Sequence, residues 1–187
     1  FPALYISECE APHRCYVENI TEYGSRLIQI IQFRIENKPQ AVHDWIVDRE
    51  TNHIYAVTQL YPFNKERNGF ATQIVKFNLP SINIPQVILS DVDIEDSFEV
   101  FFPHILQGGV IHNHTLYFPS GASADSQLQY GKEKAIVIID LKEKKIKRII
   151  DVQDILNNEP EGGAFWGKSL IISCAPKGLY QFFLKDE

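Results

Sequence analysis

The segment Ile54-Tyr55-Ala56-Val57 decides the fold, because related segments recur along the chain. Each copy is a short apolar run rich in β-forming residues, and a polar loop follows it. The other copies are Leu4-Tyr5-Ile6-Ser7, Leu116-Tyr117-Phe118-Pro119 and Leu170-Ile171-Ile172-Ser173. Their spacing of roughly 50 to 60 residues indicates a repeated structural unit.

Further strand-like runs surround each copy. A second run follows the polar loop at 15–20, 73–78, 135–141 and 179–184. A third run follows at 27–33, 86–89 and 146–150, and a leading run precedes three copies at 44–48, 108–112 and 162–166. Val, Ile, Phe, Tyr and Thr dominate these runs, while Asn, Gly, Asp and Pro separate them. The repeated unit is therefore predicted to contain four short strands.

Four-stranded units repeated at this length are typical of a β-propeller. We predict an all-β propeller of four-stranded antiparallel blades, with approximate boundaries 1–40, 41–90, 103–151 and 160–187. The first blade lacks a leading run and the last lacks an outermost one, and the sequence contains no Met. We therefore expect further residues upstream and a complete ring of five blades, with six as the alternative, because open sheet edges are poorly tolerated.

Composition limits the partners. The net charge of −6 and the pI of about 5.5 argue against a nucleic-acid partner, which requires clustered Lys and Arg. No apolar run approaches the roughly 20 residues of a membrane-spanning helix. Among the three cysteines, Cys9 and Cys15 flank a turn and are candidates for pairing in an oxidising compartment. The alternative is that these two and Cys174 are free, partly buried thiols.

Several stretches together resemble a known group of proteins. They are FPALYIS (1–7), RCYVENI (14–20), LIQIIQF (27–33), QGG (107–109), EPEGG (159–163) and IVIIDLKEKKIKRIIDV (136–152). The combination is similar to uncharacterised propeller proteins of Bacteroides-type bacteria, whose architecture is related to the NHL-like and lactonase-like six-bladed propellers. The resemblance implies an exported protein, periplasmic or at the cell surface, with a lipid anchor as one form of attachment.

The candidate site lies where the leading strands begin, since functional groups of propellers gather around the central funnel. Aligning the repeats places five polar residues near the same level of successive leading strands. They are His43, Asp44, Gln107, Glu159 and Glu161. We predict that they line a funnel that binds a small molecule, a glycan or a protein.

Asp44 and Glu161 are also candidate ligands of a calcium ion, which prefers carboxylate oxygens. The segment 161–166 is similar to the EGPxW strand of calcium-dependent lactonases, and the likeness implies that Glu161 is a metal ligand. Gly163 stands where those enzymes have Pro, and no further matching Asn or Asp ligand is found. The alternative is that these side chains hydrate the channel and no cofactor is bound.

His112-Asn113-His114 is a third candidate. Alternate residues of a strand face the same side, so the two imidazoles have the spacing of a shared metal site. A third ligand is missing, so we favour a solvated hairpin tip over a metal site. The serines of the loop 120–132 lack a nucleophile motif, so we interpret that loop as a flexible insertion.

The sequence favours a non-catalytic binding propeller of the bacterial envelope. A calcium-dependent, lactonase-like hydrolase that uses the funnel is the alternative, with Asp44 and Glu161 holding the cation. A purely structural interaction domain is the third function considered.

Overall fold

The computed structural model describes residues 3–8, 10–121 and 134–184. In chain order its strands are β1 (Ala3–Ser7), β2 (Cys15–Thr21), β3 (Gly24–Ile35), β4 (Lys38–Pro39), β5 (Asp44–Asp48), β6 (His53–Gln59), β7 (Phe70–Asn78), β8 (Gln86–Leu89), β9 (Ile94–Phe102), β10 (Val110–His112), β11 (Thr115–Ser120), β12 (Ala135–Asp140), β13 (Lys145–Asp151), β14 (Glu159–Trp166), β15 (Ser169–Ala175) and β16 (Leu179–Phe183). A 3₁₀ helix, Asp91–Asp93, precedes β9.

The strands form four small sheets, each built mainly from successive antiparallel neighbours. The first has the order β1-β2-β3-β4 with β8 added to β3, and the second has the order β5-β6-β7-β9. The third is β10-β11-β12-β13 and the fourth, among the described residues, is β14-β15-β16. Successive small meanders of this kind are the blades of a β-propeller, so the predicted fold class is confirmed.

One predicted strand belongs to a different sheet. Residues 86–89 were expected to be the third run that follows the repeated segment 54–57, within the same blade. Instead, β8 pairs in parallel with β3 of the first sheet. The loop before β8 is held there by Gln29, a buried residue whose side-chain amide donates to the carbonyl oxygens of Ser81 at 2.7 Å and Ile84 at 2.8 Å. These bonds fix the loop against β3, which places β8 beside that strand. The prediction that 86–89 belongs to the second blade was therefore wrong.

The outer strand of the second sheet is β9, which the sequence analysis did not predict. Its residues alternate between exposed side chains, such as Glu95 and Glu99, and inward ones, such as Val100 and Phe102. This period of two is the pattern of a half-buried strand.

The chain divides into two compact units, residues 1–59 with 73–98, and residues 60–72 with 99–187. In the first unit, the side chains of the first two sheets share a core that includes Val17, Trp45 and Phe77. In the second unit, the last two sheets share a core that includes Ile136, Leu170 and Ile172. In each unit, two neighbouring blades thus bury side chains in a shared core, as expected for stacked repeats.

Candidate functional site

The predicted residue Asp44 lies at the first position of β5, in the first unit. Ser7, at the end of β1, donates its hydroxyl hydrogen to Asp44 Oδ1 at 2.8 Å. The same Ser7 Oγ accepts the backbone N–H of Trp45 at 2.7 Å, and the Trp45 indole N–H donates to the carbonyl oxygen of His13 at 3.2 Å. Asp44 is thus part of a hydrogen-bonded junction between the first two blades of this unit.

His43 precedes this junction and is oriented by the backbone. Its Nδ1 accepts the N–H of Gln59 at 3.1 Å, so the neutral ring carries its hydrogen on Nε2. The ring centre lies 6.1 Å from that of His13. Burial, and to a smaller extent the charge of His13, lowers the pKa of His43 below its ordinary value. His43 therefore presents a neutral imidazole near pH 7.

Gln107, Glu159 and Glu161 belong to the second unit, and the structure brings them together. The Gln107 side-chain amide donates to Glu159 Oε1 at 3.0 Å and to the carbonyl oxygen of Gly121 at 3.0 Å. The backbone N–H of Gly108 donates to the carbonyl oxygen of Glu161 at 3.1 Å. The segment that leads into β10 and the start of β14 therefore lie side by side.

Gly108 makes this approach possible. A Cβ placed on Gly108 would lie 2.9 Å from the carbonyl oxygen of Glu161, closer than side-chain carbons approach backbone oxygens. Any larger residue at this position would force the two segments apart. At Gly162 a Cβ would meet only Ser173 Oγ, at 3.7 Å, an ordinary contact.

Glu161 lies at a β-bulge, where the register passes from Pro160 opposite Cys174 to Gly162 opposite Ser173. A bulge inserts one extra residue and redirects its side chain. Glu161 is exposed. Partial desolvation, and then the neighbouring charge of Glu159, raises its pKa above the ordinary value. The cluster thus consists of one amide and two carboxylates that repel each other.

Two residues beside this cluster were not singled out by sequence reasoning as members of one site. Burial raises the pKa of Cys174, Glu161 raises it further, and the charge of Lys134 acts in the opposite direction. Lys134 is itself buried, and its ammonium group donates to the carbonyl oxygen of Leu156 at 2.7 Å. A buried lysine has no sequence signal of its own, because it looks like the surface lysines around it.

The predicted calcium site remains a prediction. Asp44 belongs to the first unit and Glu161 to the second. Within residues 3–8, 10–121 and 134–184, no three His, Cys, Asp or Glu side chains are grouped so that they could hold a metal ion.

The thiols of Cys15 and Cys174 are free and buried. Cys9 and most of the loop 120–132 lie outside the described residues.

His112, Asn113 and His114 adopt a different arrangement from the proposed metal strand. Asn113 and His114 have φ values of 50° and 57° and form the two-residue turn between β10 and β11. Positive φ at both positions is characteristic of a tight hairpin turn. His112 and His114 therefore do not alternate along one strand: the interpretation as a hairpin tip is confirmed, and the alternative that the two imidazoles share a face was wrong.

An open cleft of about 460 Å³ lies beside this hairpin in the second unit. The His112 ring stacks on Phe165 with centres 4.3 Å apart and planes 21° apart. Tyr117 meets Phe165 edge-on, with centres 5.1 Å apart. The remaining lining residues are Asn113, Gly167, Lys168 and Leu184. The sequence analysis missed this cleft because its residues come from two hairpins and the end of the described chain.

No protein-family model matches this chain, and no curated protein matches it. Among solved structures, BamB from Moraxella catarrhalis is similar, with a TM-score of 0.40 and 8% identity over 90% of this chain and 40% of that chain. The WD40 β-propeller domain of Doa1 has a TM-score of 0.42 and 8% identity over 92% of this chain and 58% of that one.

The computationally designed Ika4 protein is similar with a TM-score of 0.38 and 8% identity, over 82% of this chain and 98% of that one. This chain spans less than half the length of the BamB chain and less than two thirds of the Doa1 chain. Over the part of the sequence that the structure describes, no helix is both long enough and apolar enough to cross a membrane. The strand order defines the class of the protein as an all-β propeller.

Proposed function

We propose that this chain is a non-catalytic binding propeller of the bacterial envelope, with its ligand held at the starts of the leading strands. The observation that carries the proposal is the cluster of Gln107, Glu159 and Glu161, which joins two successive blades. The envelope location is supported by the resemblance of the sequence to exported propellers.

The chemistry of the cluster favours a polyhydroxylated ligand, such as the end of a glycan. Carboxylates accept hydrogen bonds from hydroxyl groups, and the Gln107 amide can both donate and accept. Glu161 is exposed, so a ligand hydroxyl can reach its carboxylate. Hydrogen bonds to a charged carboxylate are stronger than those between neutral groups.

A titration with neutral mono- and oligosaccharides tests the proposal. For a saccharide that binds the unmodified protein, Glu161→Gln and Glu159→Gln are expected to raise Kd about tenfold, the loss of one charge-assisted hydrogen bond. Glu143→Gln is the matched control, because Glu143 is an exposed carboxylate in the hairpin between β12 and β13. Equal Kd values in all three variants, or no binding by any saccharide, would contradict the proposal.

A calcium-dependent hydrolase is the second candidate, and the bulge that presents Glu161 beside Glu159 favours it. A bound cation would relieve the repulsion between these carboxylates. Calcium titration of the unmodified protein, Asp44→Asn and Glu161→Gln separates the two functions. Calcium affinity that both substitutions abolish, together with lactone hydrolysis, would support the hydrolase, whereas saccharide binding that persists in a chelator would support the binding module.

A further inference from the structure

The first sheet exposes an apolar face on the side away from its core, here called the aliphatic face. Large aliphatic side chains from four strands lie on it, with exposed fractions between 38% and 58%. The strand register aligns them, since Leu4 is opposite Glu18 and Glu18 is opposite Leu27. They are Leu4 and Ile6 of β1, Ile20 of β2, Leu27 of β3 and Ile88 of β8. Contiguous apolar surface of this kind marks an interaction site.

The fourth sheet, in the second unit, exposes a second apolar face, here called the aromatic face. Its largest side chains, Trp166, Leu179 and Phe183, are between 75% and 83% exposed. The register places them on one side of the sheet, because Trp166 and Phe183 are both opposite Ser169. None of the described side chains that β15 and β16 place on this face is charged. They are Ser169, Ile171, Ser173, Ala175, Leu179, Gln181 and Phe183.

The polar side chains of the aromatic face have hydrogen-bond partners within their own sheet. The Gln181 side-chain amide donates to Ser169 Oγ at 3.0 Å, and the Ser173 hydroxyl donates to the carbonyl oxygen of Gly162 at 3.4 Å. A covering surface would leave these bonds in place, so burial of the face carries little desolvation cost. The face is therefore suited to contact with another apolar surface.

The repeat indicates which surface the aliphatic face fits. In both units, the first and third positions of the repeated segment lie in the core that a blade shares with the preceding blade. Ile54 and Ala56 do so in the first unit, and Leu170 and Ile172 in the second. Leu4 and Ile6 occupy these two positions in the first sheet. The aliphatic face thus has the pattern of a surface that packs on a preceding blade.

The aromatic face has the opposite pattern. The second position of the repeated segment packs on the core shared with the following blade, as Tyr5 does in the first unit and Tyr117 in the second. Ile171 occupies this position in the fourth sheet and lies on the aromatic face. The two exposed faces of the chain are therefore complementary in the same way as the blades that already pack together within each unit.

We propose that the protein self-associates head to tail, with the aromatic face of one copy packed on the aliphatic face of a second copy. The contact continues the blade-to-blade packing of both units, since each face has the pattern of one side of that packing. It is heterologous, because two different surfaces meet. This interaction is additional to ligand binding at Gln107, Glu159 and Glu161.

Sedimentation equilibrium of the unmodified protein measures the association. The faces are built from a few short strands, so they are small beside the usual interface of about 800 Å² per partner. We therefore expect a Kd in the micromolar range, with a mass that rises to at least two chains as concentration increases. A monomer mass at every concentration up to about 1 mM, where the weakest specific contacts are still populated, would overturn the proposal.

Single-face variants test the head-to-tail arrangement. Leu4→Glu alters the aliphatic face and Trp166→Glu the aromatic face, and each is expected to raise Kd more than tenfold, because a carboxylate would be buried in an apolar contact. Ile149→Glu is the matched control, since Ile149 is 44% exposed, like Leu4 at 45%, but lies on β13 of the third sheet. Ile149→Glu should leave Kd unchanged. Circular dichroism verifies folding, and Leu4→Gln and Trp166→Gln replace any variant that does not fold.

Mixing the two single-face variants separates this arrangement from association of like faces. Leu4→Glu keeps an intact aromatic face and Trp166→Glu an intact aliphatic face, so an equimolar mixture should form a dimer that neither variant forms alone. Continued self-association of either variant by itself would overturn the proposal. A mixture that stays monomeric, or an equal loss of association in Ile149→Glu, would overturn it as well. Saccharide binding at the polar cluster is measured separately, so failure here leaves the proposed function intact.

Discussion

The leading strands β5 and β14 each carry a carboxylate at or near their first residue, Asp44 and Glu161, yet the two carboxylates have different surroundings. Asp44 is half-buried and accepts the hydroxyl hydrogen of Ser7, which in turn accepts the next backbone N–H. Glu161 lies at a bulge, is exposed and has a raised pKa beside Glu159. The comparison teaches that local register decides whether a carboxylate near the start of a leading strand joins two blades or faces solvent.

The largest effect is expected on the Asp44 side of this comparison. Asp44→Ala removes the acceptor of a partly buried hydroxyl group and is expected to lower the free energy of unfolding by about 2 kcal/mol. Asp44→Asn keeps an acceptor oxygen and should lose less. Urea denaturation followed by circular dichroism measures both. A loss below about 0.5 kcal/mol in Asp44→Ala would show that the junction does not contribute to stability.

A smaller effect is expected where the segment before β10 meets β14. Gly108→Ala places a methyl group 2.9 Å from the carbonyl oxygen of Glu161, so the two segments must separate. We expect a loss of about 1 to 2 kcal/mol in the free energy of unfolding, as for other overpacked positions.

Gly162→Ala is the matched control for Gly108→Ala. Its new methyl group would lie 3.7 Å from Ser173 Oγ, an ordinary contact. Gly162→Ala should therefore cost less than Gly108→Ala in the same urea experiment. Equal losses in the two variants would contradict the close approach of the two segments.

The fold class could be predicted because β-strand patterns and turn residues are local signals. A few neighbouring residues determine each repeated apolar segment, each leading strand and each hairpin. In a repeat, the same pattern occurs in several copies, which strengthens the prediction. β9 was missed because acidic residues interrupt its apolar positions, although its period of two is present in the sequence. Its recognition required counting alternate residues rather than apolar runs.

The placement of β8 could not be predicted, because it depends on a partner far away in the sequence. The buried Gln29 binds the loop at Ser81 and Ile84, and neither residue carries a signal for the other. The same limit applies to the candidate site. Gln107 and Glu159 were singled out because each stands near the start of a leading strand, and their side chains are hydrogen-bonded, whereas the aromatic cleft depends on contacts between two hairpins such as His112 with Phe165.

The smallest effect is expected on the Glu161 side. Because Glu161 is exposed and its charge is disfavoured by partial desolvation and by Glu159, Glu161→Gln should change the free energy of unfolding at pH 7 by less than about 0.5 kcal/mol, in the stabilising direction. A carboxyl whose pKa is raised by folding contributes stability that is complete below its ordinary value of 4.5 and is lost as the pH rises through the raised value. The advantage of Glu161→Gln over the unmodified protein should therefore vanish on acidification below about pH 4.5.

Glu143→Gln, which removes an ion pair with Lys145, should change stability in the opposite direction at pH 7. Thermal melts of the unmodified protein, Glu161→Gln and Glu143→Gln at pH 7 and pH 4 measure these differences in stability. A clear destabilisation by Glu161→Gln at pH 7 would instead show that Glu161, like Asp44, helps to join the blades.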